Sequence, residues 1–316
     1  MAIRHRLVVK DDIGERLDVW LSRADGLSLS RSHAQKLIRE GRVLLNGSPG
    51  KSSSKVRRDD EVVVEIPDPE PVDAVPEDIP LDVVYEDPDV LVVNKPRGMV
   101  VHPGAGVKSG TLVNAVLHRC GDLLGINDVI RPGIVHRLDK DTTGLMVVAK
   151  NAASYESLAG QIRNRTVERV YLALVHGLVK EGEGTVEAPI GRHPVHRKRM
   201  AVVRTGGRQA VTTFRVVERF RAHTLLECRL KTGRTHQIRV HMAYIGHPVV
   251  GDPVYGRKKG DSGMGLRGQA LHAWRLSFDH PRTGRRLTFT APVPDDFQAI
   301  LSRLRLEGQG SSWERG

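Results

Sequence analysis

Two carboxylates, Asp139 and Asp141, stand in the string Gly133-Ile134-Val135-His136-Arg137-Leu138-Asp139-Lys140-Asp141-Thr142-Thr143-Gly144, which runs on through Leu145 to Lys150 and reads as strand, polar loop, strand. A carboxylate at a strand end has a well-defined position, which suits a nucleophile or a base. The same residues also suit a turn whose aspartates accept backbone N–H groups, and the local pattern leaves both readings open. Five histidines, His136, His236, His241, His247 and His272, invite a metal reading. The steps from His236 to His241 and from His241 to His247 miss the i, i+4 spacing of a helical ligand pair and no HExxH occurs, so no metal site is expected. Gly104 to Gly110 and Gly251 to Gly256 lack the GxxxxGK[ST] spacing of a phosphate loop and read as turns, with Asp252 and Tyr255 serving the second turn or lining a binding path.

Charge narrows the partner. The 316 residues carry 49 Lys+Arg against 37 Asp+Glu, a formal net charge of +12. From Ser30 to Arg58 eight basic residues, among them Arg31, Lys36, Arg39 and Arg42, face one acid, Glu40, and from Arg192 to Arg221 nine face only Glu218. Either run alone reads as a solvated face, but two together point to a polyanion such as nucleic acid. No apolar run approaches the roughly 18 residues that span a bilayer, and the N-terminus lacks an apolar signal core. Cys120 and Cys228 stand far apart with no paired spacing, which fits a reducing compartment. A monomeric cytoplasmic protein without a membrane partner is expected.

The elements that must hold these residues divide into two bodies. Pro67 to Pro80 holds five prolines and five acids with no Lys or Arg, and reads as an extended linker between a domain at 1–66 and one at 81–307. In the first body, Glu15 to Ala24 has apolar residues at near-helical spacing, and Ser30 can cap a second helix that ends at Gly41. Asn46-Gly47 after Arg42-Val43-Leu44-Leu45 marks a hairpin, with Glu61 to Ile66 as a returning strand. The second body shows strands at Asp89–Asn94, Gly133–Leu138, Leu145–Ala149, Val170–Val175, Ala210–Val217 and Thr224–Leu230. Helices are expected at Thr111–His118, at Ala152–Asn164 and after His236. Because strands and helices do not alternate strictly, the fold class is α+β: a small α+β module, then a mixed, mostly antiparallel central sheet flanked by helices. Residues 308–316 read as a disordered tail.

The order helix, helix, Arg-Val-Leu-Leu-Asn-Gly, loop, Asp-Glu-Val-Val-Val-Glu-Ile over about residues 15 to 66 resembles the S4-type RNA-binding module. In the second body, His136-Arg137-Leu138-Asp139 through Lys150 resembles the catalytic motif of the RluA family of RNA pseudouridine synthases. Val93-Asn94-Lys95-Pro96 with Val101-His102-Pro103-Gly104 precedes it, and Arg169-Val170-Tyr171-Leu172-Ala173 and Thr232 to His241 follow, in family order. Gly251 to Gly256 and Leu271 to Pro281 extend the likeness over about residues 80 to 300. The strings Pro80 to Gly106 and Gly233 to Gly256 look most like the members that act on large-subunit (23S) ribosomal RNA. A paralogous type that acts on other ribosomal sites shares the layout.

The resemblance implies a role for each matching residue. Asp139 matches the catalytic aspartate, Arg137 the arginine that fills the space of the flipped nucleotide, and Tyr171 the tyrosine that stacks on the base. Arg169 stands where lysine is usual. Arg234 is expected to pair with Asp139, Ile238 to lie against the base, and His136 to face the RNA. The chemistry agrees: breaking the N1 bond of uridine and joining C5 to the same C1′ needs a group that stabilises C1′ or traps C6, and a carboxylate can do either. The base must leave its stack, which calls for an aromatic platform. The isomerisation adds no atoms or electrons, so neither cofactor nor metal is implied. The partner is ribosomal RNA, as a large-subunit stem-loop within a precursor particle. A non-catalytic ribosome-assembly factor and an RNA hydrolase that uses Asp139 with a water are the competing classes. Asp139, Tyr171 and Arg234 together speak against the first, and the absence of a second paired carboxylate against the other.

Overall fold

The computed structural model describes residues 3–10, 14–24, 27, 29, 31–66, 74–104, 106–121, 133–196, 199–256 and 265–310. The chain forms two compact units, Met1–Pro71 and Val72–Gly316.

In the first unit β1 (Ile3–Val8), α1 (Leu17–Leu21), α2 (Arg31–Arg39), β2 (Val43–Leu45), β3 (Ser48–Pro49) and β4 (Glu61–Ile66) follow in order. The sheet order is β1-β4-β2-β3. Asn46 and Gly47 both sit at positive φ between β2 and β3, the two-residue turn that the sequence signals. Leu17, Leu21, Ala34, Leu37 and Ile38 of the two helices pack on Val43, Val62 and Val64 of the sheet. β1, which the sequence reading leaves out, pairs along the whole of β4. The expected cap at Ser30 lies outside the described residues.

The second unit contains β5 (Val83–Glu86), β6 (Val90–Lys95), α3 (Leu112–Cys120), β7 (Thr143–Ala149), α4 (Ala152–Asn164), β8 (Glu168–His176), β9 (Glu183–Glu187), β10 (Ile190–Arg192), β11 (Met200–Val202), β12 (Val211–Arg219), β13 (His223–Leu230), α5 (Gln237–Tyr244), β14 (Leu271–Asp279), β15 (Arg286–Thr290) and α6 (Asp295–Gly310). Nine of these strands form one sheet in the order β5-β6-β7-β14-β8-β13-β12-β9, with β15 beside β14. Only the short β7–β14 contact is parallel, so the sheet is mixed and mostly antiparallel. Each strand residue faces opposite to the next. Leu145, Val147 and Ala149 of β7 therefore pack toward α4 on one face. Met146 and Val148 pack toward α3, α5 and α6 on the other.

Three local expectations change. Gly133 to Leu138 is not a strand and meets β7 only through an isolated bridge at Ile134 and Val148. The carbonyl of Gly133 accepts the Ala149 N–H, but the Val147 N–H goes to the Nε2 of His136, 3.1 Å away, so an imidazole replaces the backbone acceptor and the ladder stops. The linker expected at Pro67 to Pro80 is held to the second unit from Ala74 onward. Ala74 is buried in its core, Asn114 of α3 donates to the Val75 carbonyl, and the Glu77 carboxylate accepts the Gly110 N–H. Residues 67–73 lie outside the described residues. Finally, α6 carries residues 308–310 of the expected tail, because a helix anchored through Phe297, Ile300, Leu301 and Leu304 propagates more easily than it starts. Residues 311–316 are outside the description.

Candidate active site

The loop from Asp139 to Gly144 is fixed from three sides. Lys95, at the end of β6, is fully buried and donates its three N–H bonds to the carbonyls of Pro96 (2.9 Å), Met99 (2.8 Å) and Lys140 (3.0 Å). Burial pulls its ammonium down to about 7, while Asp141 and Asp139 pull the other way. Arg97 donates to the carbonyls of Asp141 (2.7 Å) and Gln269 (2.8 Å), and Thr143 bonds His272 of β14 at 2.8 Å. Gly144 is the point of closest approach: its φ is +112°, and a Cβ there would lie 2.3 Å from the Ala273 carbonyl oxygen. A side chain at 144 would push β14 off β7 and move the loop.

This fixes the Asp139 carboxylate away from its own turn. The Thr142 N–H closes the turn on the Asp139 backbone carbonyl, and Nη1 of Arg239 donates to Oδ2 at 2.8 Å. The turn reading of Asp139 is thereby overturned, since its side chain serves another element. Arg239, in the first turn of α5, is 4% exposed and forks onto Asp252 with Nε at 2.6 Å and Nη2 at 2.9 Å. Burial works to raise the Asp252 carboxyl, but the bonds and charge of Arg239 and the amides of Tyr255 and Val254 outweigh it and hold the group below the usual carboxylate range. Burial also disfavours the Arg239 cation, and its two carboxylates reverse that effect. His236 sits with Nε2 at 3.8 Å from Asp139 Oδ1 and Nδ1 at 2.9 Å from the Tyr255 hydroxyl. Tyr255 in turn lies beneath the Arg239 guanidinium, 5.2 Å from centroid to carbon. Burial keeps the His236 ring below its ordinary value, with Asp139 opposing.

The expected partner of Asp139 is therefore corrected: it is Arg239, and Arg234 points elsewhere. Gln237 explains why. Its buried amide accepts the Arg234 N–H (3.0 Å) and the Thr232 hydroxyl (2.7 Å) and donates to the Val211 carbonyl and the Thr212 hydroxyl, both at 3.0 Å. That pins residues 232–237 against β12, and Arg234 Nε donates to the Gln209 carbonyl at 3.0 Å. Burial lowers the Arg234 guanidinium, as do the nearby charges of Arg208 and Arg165. A positional signal was present: Arg239 lies inside the helix expected after His236, whereas Arg234 precedes it. Asp252 and Tyr255, left between turn and binding path, prove to support the ion pair.

A cavity of about 490 Å³ opens over Asp139. Tyr171, 5% exposed, and Ile238, 3% exposed, form apolar wall, and Arg137 reaches the cavity from an exposed position. Burial pushes the Tyr171 phenol up. His136 also lines the cavity, with Nε2 accepting from Val147 and the buried Nδ1 meeting no partner among the described residues. Burial, and secondarily Arg169, push His136 down to about 3, so the ring is neutral. His241 and His272 are likewise spent on structure, bonded to Thr212 and the Ala188 carbonyl and to Thr143 and the Ala291 carbonyl. One group among the described residues, Asp87, Asp89 and His280, brings potential metal ligands together. There Asp87 already accepts from Tyr85, His280 and two backbone amides, and Asp89 from Arg282 and Asn151.

In the first unit, Lys36 and Arg39 are exposed on α2, and Lys36 lies 3.8 Å from Glu40. Arg42 donates to Glu65 at 2.7 Å, which lowers its value for an outside phosphate. The side chain of Arg31 lies outside the described residues.

The site is thus a cavity rimmed by arginines over an ion-paired carboxylate, in a chain that carries a separate basic α+β unit. The sequence profile described as RNA pseudouridylate synthase matches residues 89–244, and that of the S4 domain matches 15–62. A Bacillus subtilis protein described as an uncharacterized RNA pseudouridine synthase, YlyB, is 52% identical over 93% of this chain and 95% of its own length. The ribosomal large subunit pseudouridine synthase D of Neisseria meningitidis serogroup A is 48% identical over 93% of this chain and 80% of its own. Among solved structures, human RNA pseudouridylate synthase domain containing 4 matches with a TM-score of 0.57 and 27% identity, over 71% of this chain and 92% of that one. The chain belongs to the RNA pseudouridine synthase family, with an S4 domain in front, and is an isomerase acting on RNA.

Proposed function

We propose that the protein converts specific uridines of large-subunit ribosomal RNA to pseudouridine, with Asp139 as the nucleophile and the target base flipped into the cavity. The observation that carries this reading is the Asp139 carboxylate, held by Arg239 at 2.8 Å in the cavity that Tyr171 and Ile238 line. Attack at C1′, addition at C6 and the glycal route all use a carboxylate, and the charge-assisted bond from Arg239 fixes where that of Asp139 points. A ring the size of uracil fits against Tyr171 and Ile238, which replace the stacking lost on flipping. The bond from N1 to C1′ breaks and one from C5 to C1′ forms. The C5 proton leaves and N1 gains one.

At the rim, Arg165, Arg208 and Arg234 stand near enough for like charges to lower Arg234, and no carboxylate pairs with them among the described residues. Such a cluster suits the phosphates of the chain that carries the flipped nucleotide. Relatives named for the large ribosomal subunit support that RNA as substrate. We place the protein in the cytoplasm as a monomer acting on precursor particles. Base-resolution mapping of pseudouridine in large-subunit transcripts treated with the purified chain tests the reading. Discrete modified uridines, lost with Asp139→Asn, are expected. Unmodified large-subunit RNA, or an active Asp139→Asn, refutes it.

A further inference from the structure

Arg169 is buried with no acceptor among the described residues. It stands on β8 two residues before Tyr171, so both side chains leave the same face of the strand, and both line the cavity that holds Asp139. It is 7% exposed, and its Nε is sealed from solvent with no hydrogen-bond partner among the described residues. Glu168, the neighbouring acid, is instead engaged by Arg229 at 3.3 Å and Arg275 at 3.5 Å. The chain crosses close over the guanidinium at Gly233, where a Cβ would lie 2.8 Å from Nη1. The charge acts on its surroundings, depressing His136 and opposing the rise of Tyr171.

A guanidinium offers five donors, and burying a cation that uses none of them against a carboxylate is unfavourable. Folding alone gives no return for it, whereas a ligand that brings an acceptor does. The rim arginines meet phosphate first, so the group that passes them and reaches Arg169 is the base. Uracil presents two carbonyl oxygens. When the N1–C1′ bond breaks, its electron pair stays on the ring and spreads over N1 and these oxygens until C5 returns the electrons to C1′.

We infer that Arg169 is a further catalytic residue, which donates to a uracil carbonyl and stabilises the ring anion while the base is detached from the sugar. The inference rests on the uridine reading above. A cation already stripped of water and fixed in place needs no reorganisation when that charge develops.

The full chain tests this with Arg169→Met, Arg169→Lys and Arg169→Ala under single-turnover conditions. Arg169→Met should slow pseudouridine formation about 10²- to 10³-fold and leave RNA affinity within about threefold, because phosphate contacts dominate binding. It should also keep or raise the melting temperature, since it removes an unpaired buried charge. Arg169→Lys should recover part of the rate, and ethylguanidinium should restore part of it to Arg169→Ala, a response that a purely structural role does not give. Conversion by Arg169→Met within about threefold of wild type overturns the inference. So does a lowered melting temperature together with no rescue of Arg169→Ala. Failure of the wild-type chain to modify RNA is a different outcome and refutes the uridine reading instead.

Discussion

Replacing Arg239 by methionine separates the two jobs of the ion-pair network. Methionine keeps the length of the stem and removes three charge-assisted bonds, two to Asp252 at 2.6 and 2.9 Å and one to Asp139 at 2.8 Å. The Asp252 side chain has no exposure, whereas that of Asp139 is 18% exposed, so the stability loss falls on Asp252. Leaving a buried charge without its partner costs about 3–5 kcal/mol, a large part of a domain's total of roughly 5–15. The Val254 and Tyr255 amides, at 2.8 and 3.0 Å, still reach Asp252 and place the expected loss near the lower figure, about 3 kcal/mol. The sign with pH follows. In the wild type Asp252 is depressed, so its contribution is complete above the unfolded carboxyl value and fades as pH falls through the folded one. In the variant burial raises the same carboxyl, so acidification relieves it, and the stability gap is widest at neutral pH and narrows toward pH 5. Urea unfolding at both values measures the gap. Arg239→Met with Asp252→Asn, which keeps an acceptor for both amides, should recover more than half of the lost stability while single-turnover conversion stays at least about 100-fold down. A double variant no more stable than the single one, or a single variant within about 1 kcal/mol of wild type at pH 7, refutes the account.

Arg234→Ala should leave the Asp139–Arg239 pair intact, so RNA affinity should fall and the slope of log K against log salt should lose about 0.7, with the single-turnover rate at saturating RNA little changed. A collapse of that rate at unchanged affinity would restore the pairing read from sequence. Tyr171→Phe keeps the ring beside the base and removes the hydroxyl, so RNA binding should hold while the chemical step slows. A single-turnover rate equal to wild type denies the hydroxyl a part in proton transfer. Stability should also fall as pH drops below about 6.5, because the unfolded chain protonates histidine there, whereas burial keeps folded His136 neutral to about 3 and His272 to about 4. Each contributes a slope of about 1.4 kcal/mol per pH unit, and a flat profile of unfolding free energy between pH 6.5 and 5 refutes their neutral burial.

Patterns that depend on neighbours in sequence were legible. Ala152–Asn164 matches α4 at both ends because Asn151 caps the Ser154 N–H and the apolar spacing is helical between them. The Asn46-Gly47 turn and the apolar runs of β8, β12 and β13 were readable for the same reason. Two kinds of feature were not. β14 lies between β7 and β8, yet its partners come from distant segments and the parallel contact reduces to Thr143 and Gly144 with His272 and Ala273. Gly133 to Leu138 has strand composition, but the imidazole of His136 takes the place of a ladder carbonyl.

The exchange of Arg234 for Arg239 shows where reading residues against a motif loses resolution. Both arginines lie in one ten-residue string, and both offer a charge that a carboxylate would accept. What separates them is the start of a helix. Gln237 spends its four hydrogen bonds on Thr232, Arg234, Val211 and Thr212, so the loop before α5 is turned toward β12 and carries Arg234 to the rim. Arg239, in the first turn of the helix, is carried inward instead and meets Asp139, with Asp252 holding its other edge. The two positions then divide the electrostatics. A half-buried cation at the rim meets a solvated phosphate and acts on affinity. A cation 4% exposed holds one carboxylate in place, where the low dielectric strengthens the bond between them.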